Sequence, residues 1–309
     1  MAVKSVTRFG IQRKIVANMT TESWQNIPHV SYQYEPDVTK FVEEFKKFTA
    51  EHQGDSGARI TFNSVLLKAF AEAIEEDPVI NAHMHFEKGL VRGKVTVFDN
   101  IDISVPWILP SGEMMTITMK DMGNKTLKEI AEYQADINRR LENTNLTEAL
   151  YSVSFNDTIE KLKKGHVLKA VKRLFGANTN KNHKIHLLKG EEKKAYEAIP
   201  ETDRITYKDL KQGTITVSNI GADTRGISGE CAMLMVIPPQ VCAICIGSLQ
   251  RRPVVVKDEE GNEKIEIRTI LPMNICFDHR ALDFGDVRPF LSKMEDFFQN
   301  PEKILNLEA

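Results

Sequence analysis

Three features of the 309-residue chain predict a mixed α/β fold of packed layers. Apolar residues recur at three- and four-residue spacings in its first half, strand-like apolar runs dominate after Thr214, and an amphipathic segment closes it. A hydrophobic content of 41% supports a sizeable core, and the length sits at the upper end of what one domain holds. Lysine and arginine total 41 against 43 aspartates and glutamates, a formal charge of -2. No global field draws such a chain to DNA or RNA, so a nucleic-acid partner is not expected.

In chain order, Thr20 to Trp24 ends a polar helical stretch, Ile27-Pro28-His29 turns, and His29 to Tyr34 alternates as a strand. Val38, Phe41, Val42, Phe45 and Phe48 form one helix stripe; Phe62, Val65, Leu66, Ala69, Phe70 and Ala73 form another between Thr61 and Glu75. Asp77-Pro78 stops that second helix, after which Leu90 to Phe98 and Ile101 to Val105 read as strands and Thr126 to Leu141 as helix. Later strands are predicted over Thr214 to Asn219, Ala232 to Ile237, Val241 to Gly247, Val254 to Lys257 and Ile265 to Phe277, with a turn at Glu260-Gly261-Asn262. Asp286 to Phe298 is the closing amphipathic helix.

The segment from about Thr144 to Asp203 differs from its surroundings. Within it, Ile159 to Phe175 forms a basic amphipathic helix pattern, open to a phosphate or membrane-surface role or to plain packing on its own domain. Asn178 to Asn182 reads as a loop, and His183 and His186 as surface residues. The N-terminus lacks the apolar core of a signal peptide, and Pro238-Pro239-Gln240 divides the apolar run Cys231 to Leu249 before it reaches membrane-spanning length. A cytoplasmic protein without a transmembrane segment is expected, which suits its four cysteines.

Two metal-like spacings are discounted. Cys242 and Cys245 lie three apart in a strand-like run, so their sulfurs point to opposite faces. His83 and His85 share a strand face but lack a third ligand in sequence, so no metal is expected. Asn274 to Asp283 stands apart, because an apolar strand runs directly into a cluster of ionisable residues before a helix begins. Strand-to-loop junctions commonly mount active-site groups, although a histidine beside aspartate and arginine also fits a structural ion-pair network.

Phe277-Asp278-His279-Arg280-Ala281-Leu282-Asp283 resembles the histidine motif of the dihydrolipoyl acyltransferase component of 2-oxo acid dehydrogenase complexes, whose catalytic domain is chloramphenicol-acetyltransferase-like. Gln12 to Ala17, Ile27 to Val30, Pro78 to Ala82, Gly213 to Gly221, Pro238-Pro239-Gln240, Arg252-Pro253-Val254 and Asn300-Pro301-Glu302 continue the resemblance in order, over nearly the whole chain. It implies a single catalytic domain over residues 1–309, interrupted at about 144–203.

The resemblance also implies a mechanism, with coenzyme A as cosubstrate and an acyl-CoA as partner. His279 takes a thiol proton and the thiolate attacks a thioester; a thiol of pKa ~8.5 and an imidazole of ~6.5 are close enough for transfer near neutrality. Ser218 matches the serine that stabilises the tetrahedral oxyanion, beside Asn219. Asp283 matches the carboxylate four residues after the histidine, held in the family by an arginine near the N-terminus, here Arg13. A homotrimer, or a multiple of trimers, is implied, with His279 and Ser218 of each site coming from different chains.

Two further features bear on function. Phe284 stands where the family usually has glycine, so the turn after the motif must be built differently. The chain begins almost at the catalytic domain, so no covalent lipoyl group is expected on it and a lipoyl carrier protein would act in trans. Transfer to dihydrolipoyl thiols, transfer to an amine or other non-lipoyl acceptor, and a non-catalytic core subunit all stay open on the sequence. The acyl group is not legible.

Overall fold

The computed structural model describes residues 2–52, 57–109, 114–163, 185–221, 224, 227 and 229–306. They gather into two compact units, Met1–Glu22 with Asp136–Lys211, and Ser23–Ala135 with Gln212–Ala309. Helix α1 (Ile11–Asn26) crosses one of these boundaries and helix α4 (Leu127–Glu142) another.

The smaller unit contains α5 (Leu146–Lys163), α6 (Gly190–Glu197) and α7 (Tyr207–Leu210). Arg140 organises its end: one guanidinium nitrogen donates to Asp209 at 2.7 Å and to the Arg204 carbonyl at 2.9 Å. Asp209 also accepts the Thr206 N–H and hydroxyl, both at 2.8 Å. Burial pushes the Asp209 carboxyl up, but Arg140 and Thr206 together hold it below the usual carboxylate range. The predicted insertion falls inside this unit, and the predicted basic helix overlaps the end of α5. Its continuation past 163, the loop Asn178 to Asn182 and His183 lie outside the described residues, while His186 is exposed.

The larger unit is built on a six-stranded mixed sheet. Its strands are β1 (His29–Tyr34), β4 (Ile103–Ile108), β5 (Met114–Met119), β6 (Ile215–Asn219), β7 (Cys242–Ile246) and β10 (Met273–Asp278), in the order β1-β10-β7-β6-β4-β5. The β4–β6 and β6–β7 pairs are parallel and the others antiparallel. Strands β2 (Ala82–Glu87) and β3 (Arg92–Val97) form one separate ribbon, β8 (Gln250–Lys257) and β9 (Glu263–Ile270) another. Central position explains composition: β7 is buried at every residue, whereas β8 alternates.

The two predicted stripes become α2 (Thr39–Glu51) and α3 (Phe62–Glu76). Thr61 and Ser64 start α3 with a reciprocal capping box, at 3.1 and 3.3 Å. Helix α3 packs on the closing helix α8 (Phe284–Gln299), with the Phe70 and Phe290 rings 6.1 Å apart; Phe41 of α2 meets Phe298 edge-on at 5.3 Å. A short α9 (Glu302–Leu305) ends the described chain.

Two predicted strands are corrected. Ala232 to Ile237 is not a strand but a strap whose backbone is held by side chains: Asn274 donates to the Ala232 carbonyl and accepts the Leu234 N–H, and His29 Nε2 accepts the Val236 N–H. Ile265 to Phe277 is two strands, because Pro272 has no N–H for a ladder and Leu271 donates instead to Pro36. Among the described residues no helix is long and apolar enough to cross a membrane.

Candidate active site

His279 follows the last residue of β10, and its setting is fixed from both sides. Asp278, with a side chain only 1% exposed, donates its N–H to the Val241 carbonyl, and His279 donates its own N–H to Pro28 at 3.0 Å. The chain then turns, with Ala281 and Leu282 N–H groups both donating to the Asp278 carbonyl. The Leu282 carbonyl returns to the imidazole, 3.2 Å from Nδ1. A carbonyl only accepts, so this contact favours, in the neutral ring, the tautomer with the proton on Nδ1 and the lone pair on Nε2. The Asp283 carboxylate stands 3.3 Å from the same Nδ1. The His279 side chain is 53% exposed, so the imidazole is accessible to solvent.

Asp283 precedes the first residue of α8, where its N–H is accepted by Asp286 at 2.8 Å. Phe284 is that first residue and has ordinary helical backbone; the positive-φ non-glycine residues described are Val91 and Asp121. Glycine is therefore not required after Asp283. The Phe284 ring packs against Tyr32 at 4.9 Å.

Ser218 lies near the end of β6, 5% exposed, and among the described residues its hydroxyl has no hydrogen-bond partner. Its neighbours are engaged. Asn219 donates to Asn63 at 2.8 Å and accepts the Gly221 N–H at 2.9 Å, so it shapes the end of the strand. Gln240, buried between strands, accepts from Thr216 and donates to the Gly213 carbonyl, which also bonds the His83 ring at 3.0 Å. His83 thus serves the backbone. Among the described residues no three histidine, cysteine or acidic side chains converge as metal ligands.

Within one chain the predicted groups do not all meet. Asp283 stands beside His279, but Ser218 does not: it pairs with Cys245 on β7, four residues from Val241, and β6 is two strands from β10. At ~3.3 Å per residue and ~4.8 Å per strand, roughly 16 Å separates the two ends. Arg13 occupies an exposed position of α1 in the smaller unit, and its pairing with Asp283 stays an expectation.

Two supports are only partly legible in the sequence. Arg280 grips Asp278 through Nε at 2.9 Å and a terminal nitrogen at 2.6 Å, closing the turn around His279. Asn274, fully buried, pins the strap to β10 and donates to Ser31 at 2.7 Å. The Asp-x-Arg spacing was a signal for the first; a polar residue inside an apolar strand was a signal for the second. Cys242, Cys245 and Cys276 are buried free thiols whose pKa values burial pushes up, as suits inert core residues.

Residues 2–154 and 185–306 match the model of the 2-oxoacid dehydrogenases acyltransferase (catalytic domain) family. The chain belongs to that family. Among curated relatives of this acyltransferase domain is the dihydrolipoyllysine-residue acetyltransferase component of pyruvate dehydrogenase complex from Rickettsia bellii, 24% identical over 95% of this chain and 52% of the relative. The mitochondrial component from Dictyostelium discoideum is 25% identical over 95% of this chain and 34% of its own length. The domain thus spans about half or less of these relatives. A crystal structure of a probable dihydrolipoamide acetyltransferase from Listeria monocytogenes shares the fold, with a TM-score of 0.63 at 21% identity, covering 99% of this chain and 97% of that one. The cubic core of the pyruvate dehydrogenase multienzyme complex matches with TM-score 0.63 at 18% identity, over 97% and 93%.

Proposed function

We propose that this domain moves an acyl group between coenzyme A and a dihydrolipoyl thiol, with His279 as the general base. The observation that carries the reading is the Nδ1 contact to the Leu282 carbonyl, which leaves Nε2 as an accessible base at the end of a rigid strand. Nε2 takes the proton of the attacking thiol, the sulfur adds to the thioester carbonyl, and the tetrahedral oxyanion collapses to expel the second sulfur as a thiolate. That thiolate recovers the proton from Nε2. Asp283, beside Nδ1–H, orients the imidazole and stabilises the imidazolium that forms in between. The Ser218 hydroxyl, free of protein partners among the described residues, donates to the oxyanion.

The site is built between copies of the chain, in a homotrimer or a multiple of trimers. The separation of Ser218 from His279 supports this, and so does the β8–β9 ribbon. There Val255 opposes Ile265 and Pro253 opposes Ile267, and the three aliphatic side chains are 61%, 74% and 64% exposed. The residues form one catalytic domain with an insertion at about 144–203; the family match, interrupted over 155–184, supports that division. The lipoyl group arrives on a carrier, and the four free thiols suit the cytoplasm.

The test is mass-spectrometric detection of acyl products from a panel of acyl-CoAs offered with dihydrolipoamide or small amines. Acyl-dihydrolipoamide formed by the native protein and abolished in His279→Ala is the expected result. Acylated amine alone, or turnover that survives His279→Ala, would contradict the reading.

A further inference from the structure

We infer that Arg280 is a positioning residue for His279, acting through the buried Asp278 carboxylate and seated on the ring of Phe86. The inference rests on the reading of His279 as the base.

Both carboxylate oxygens of Asp278 are taken by one side chain. Arg280 Nε lies 2.9 and 3.2 Å from them, a terminal nitrogen lies 2.6 Å from Oδ2, and the Arg280 N–H adds a fourth bond to Oδ1 at 3.0 Å. This closed loop spans two residues, and His279 is the residue between them. The guanidinium lies 5.5 Å from the Phe86 ring centroid, so strand β2 limits how far the fork can swing.

The effect passes to the imidazole through the backbone. Asp278 offers the carbonyl that both Ala281 and Leu282 use to make the turn, and Leu282 offers the carbonyl that holds the proton on Nδ1. Loosening the Asp278 side chain loosens the turn, displaces the Leu282 carbonyl and lets the proton move between ring nitrogens. Lysine cannot replace the fork, because an ammonium is a point donor without the planar pair of N–H groups. The arginine is thus committed to the histidine's own strand end, where it acts by positioning the imidazole.

Three variants of the full chain test this: Arg280→Lys, Phe86→Leu, and the pair Asp278→Asn with Arg280→Gln, which leaves no unpaired buried charge. Steady-state kinetics should give kcat about 10- to 100-fold lower in Arg280→Lys, the scale expected of a misplaced catalytic group, with KM for acyl-CoA within about twofold. Phe86→Leu should move kcat the same way by less, and the paired variant should fold yet stay slow. In parallel, the ¹⁵N resonances of histidine-labelled protein should report His279 protonated at Nδ1 in the native chain and averaged between tautomers in Arg280→Lys. A folded Arg280→Lys with native kcat, a rise in KM at constant kcat, or an unchanged imidazole signal would overturn the inference. The resonance measurement needs no turnover, so a native protein without transacylase activity would remove the proposed function and leave the positioning role to be decided by the imidazole alone.

Discussion

Ser218 pairs with Cys245 on β7, while Asp278, the residue before His279, donates to Val241, four residues back and just ahead of that strand. The proposed oxyanion donor and base therefore sit at opposite ends of one sheet. This separation is what the proposed site, completed by a second copy of the chain, requires.

Ser218→Ala removes the proposed oxyanion donor and touches no other hydrogen bond among the described residues. Loss of about 3 kcal/mol of transition-state stabilisation is expected, a fall in kcat on the order of 100-fold with little change in KM. Steady-state rates on the folded variant check it.

Gly221→Ala should destabilise the end of β6. An added Cβ would lie 2.2 Å from the Gly247 carbonyl oxygen, and backbone cannot step aside cheaply. A loss of about 2 kcal/mol or more is expected in denaturant unfolding, because overpacking forces the two segments apart.

Asp209 gives the smaller unit an acid limb. Its folded-state pKa lies below the ordinary value, so its contribution is complete above about pH 4 and falls away as the pH drops through the depressed value. Asp209→Asn should cost about 1–2 kcal/mol at pH 7 and flatten the dependence of stability on pH below 4, measured by urea unfolding across a pH series.

Ile265→Lys with Ile267→Lys places two charges on the exposed aliphatic face of the β8–β9 ribbon. Sedimentation should then report single chains in place of the proposed assembly, with acyl transfer lost, since a desolvated charge at an interface costs several kcal/mol. A stable, active assembly would remove the ribbon from the interface.

Much of the larger unit was legible because its core-facing residues repeat with the period of the element that holds them. The stripe from Phe62 to Ala73 became α3, and Thr214 to Asn219 became β6 within a residue. The strap Ala232 to Ile237 was not legible as such: its apolar residues look like a strand, and only Asn274 and His29, distant in sequence, decide that side chains hold its backbone. Strand β2 was read only as a face carrying His83 and His85, since neighbouring glycine and charged residues break the apolar signal. The motif around His279 marks the proposed base and its Asp-x-Arg spacing signals the buried ion pair, yet Pro28 and Leu282 fix the geometry through backbone carbonyls that spacing does not reveal. Phe284 stood as a departure on the sequence and is simply the first turn of α8.

The most direct test of a base and an oxyanion donor drawn from different copies is complementation. His279→Ala and Ser218→Ala chains, each inactive alone, are co-expressed in equal amounts and the mixed assembly is assayed for acyl transfer. A site formed across the boundary between copies regains both groups whenever the two variants meet in the right order, so about a quarter of native activity should return. Activity no higher than that of either variant alone, in assemblies verified to contain both, would contradict the account.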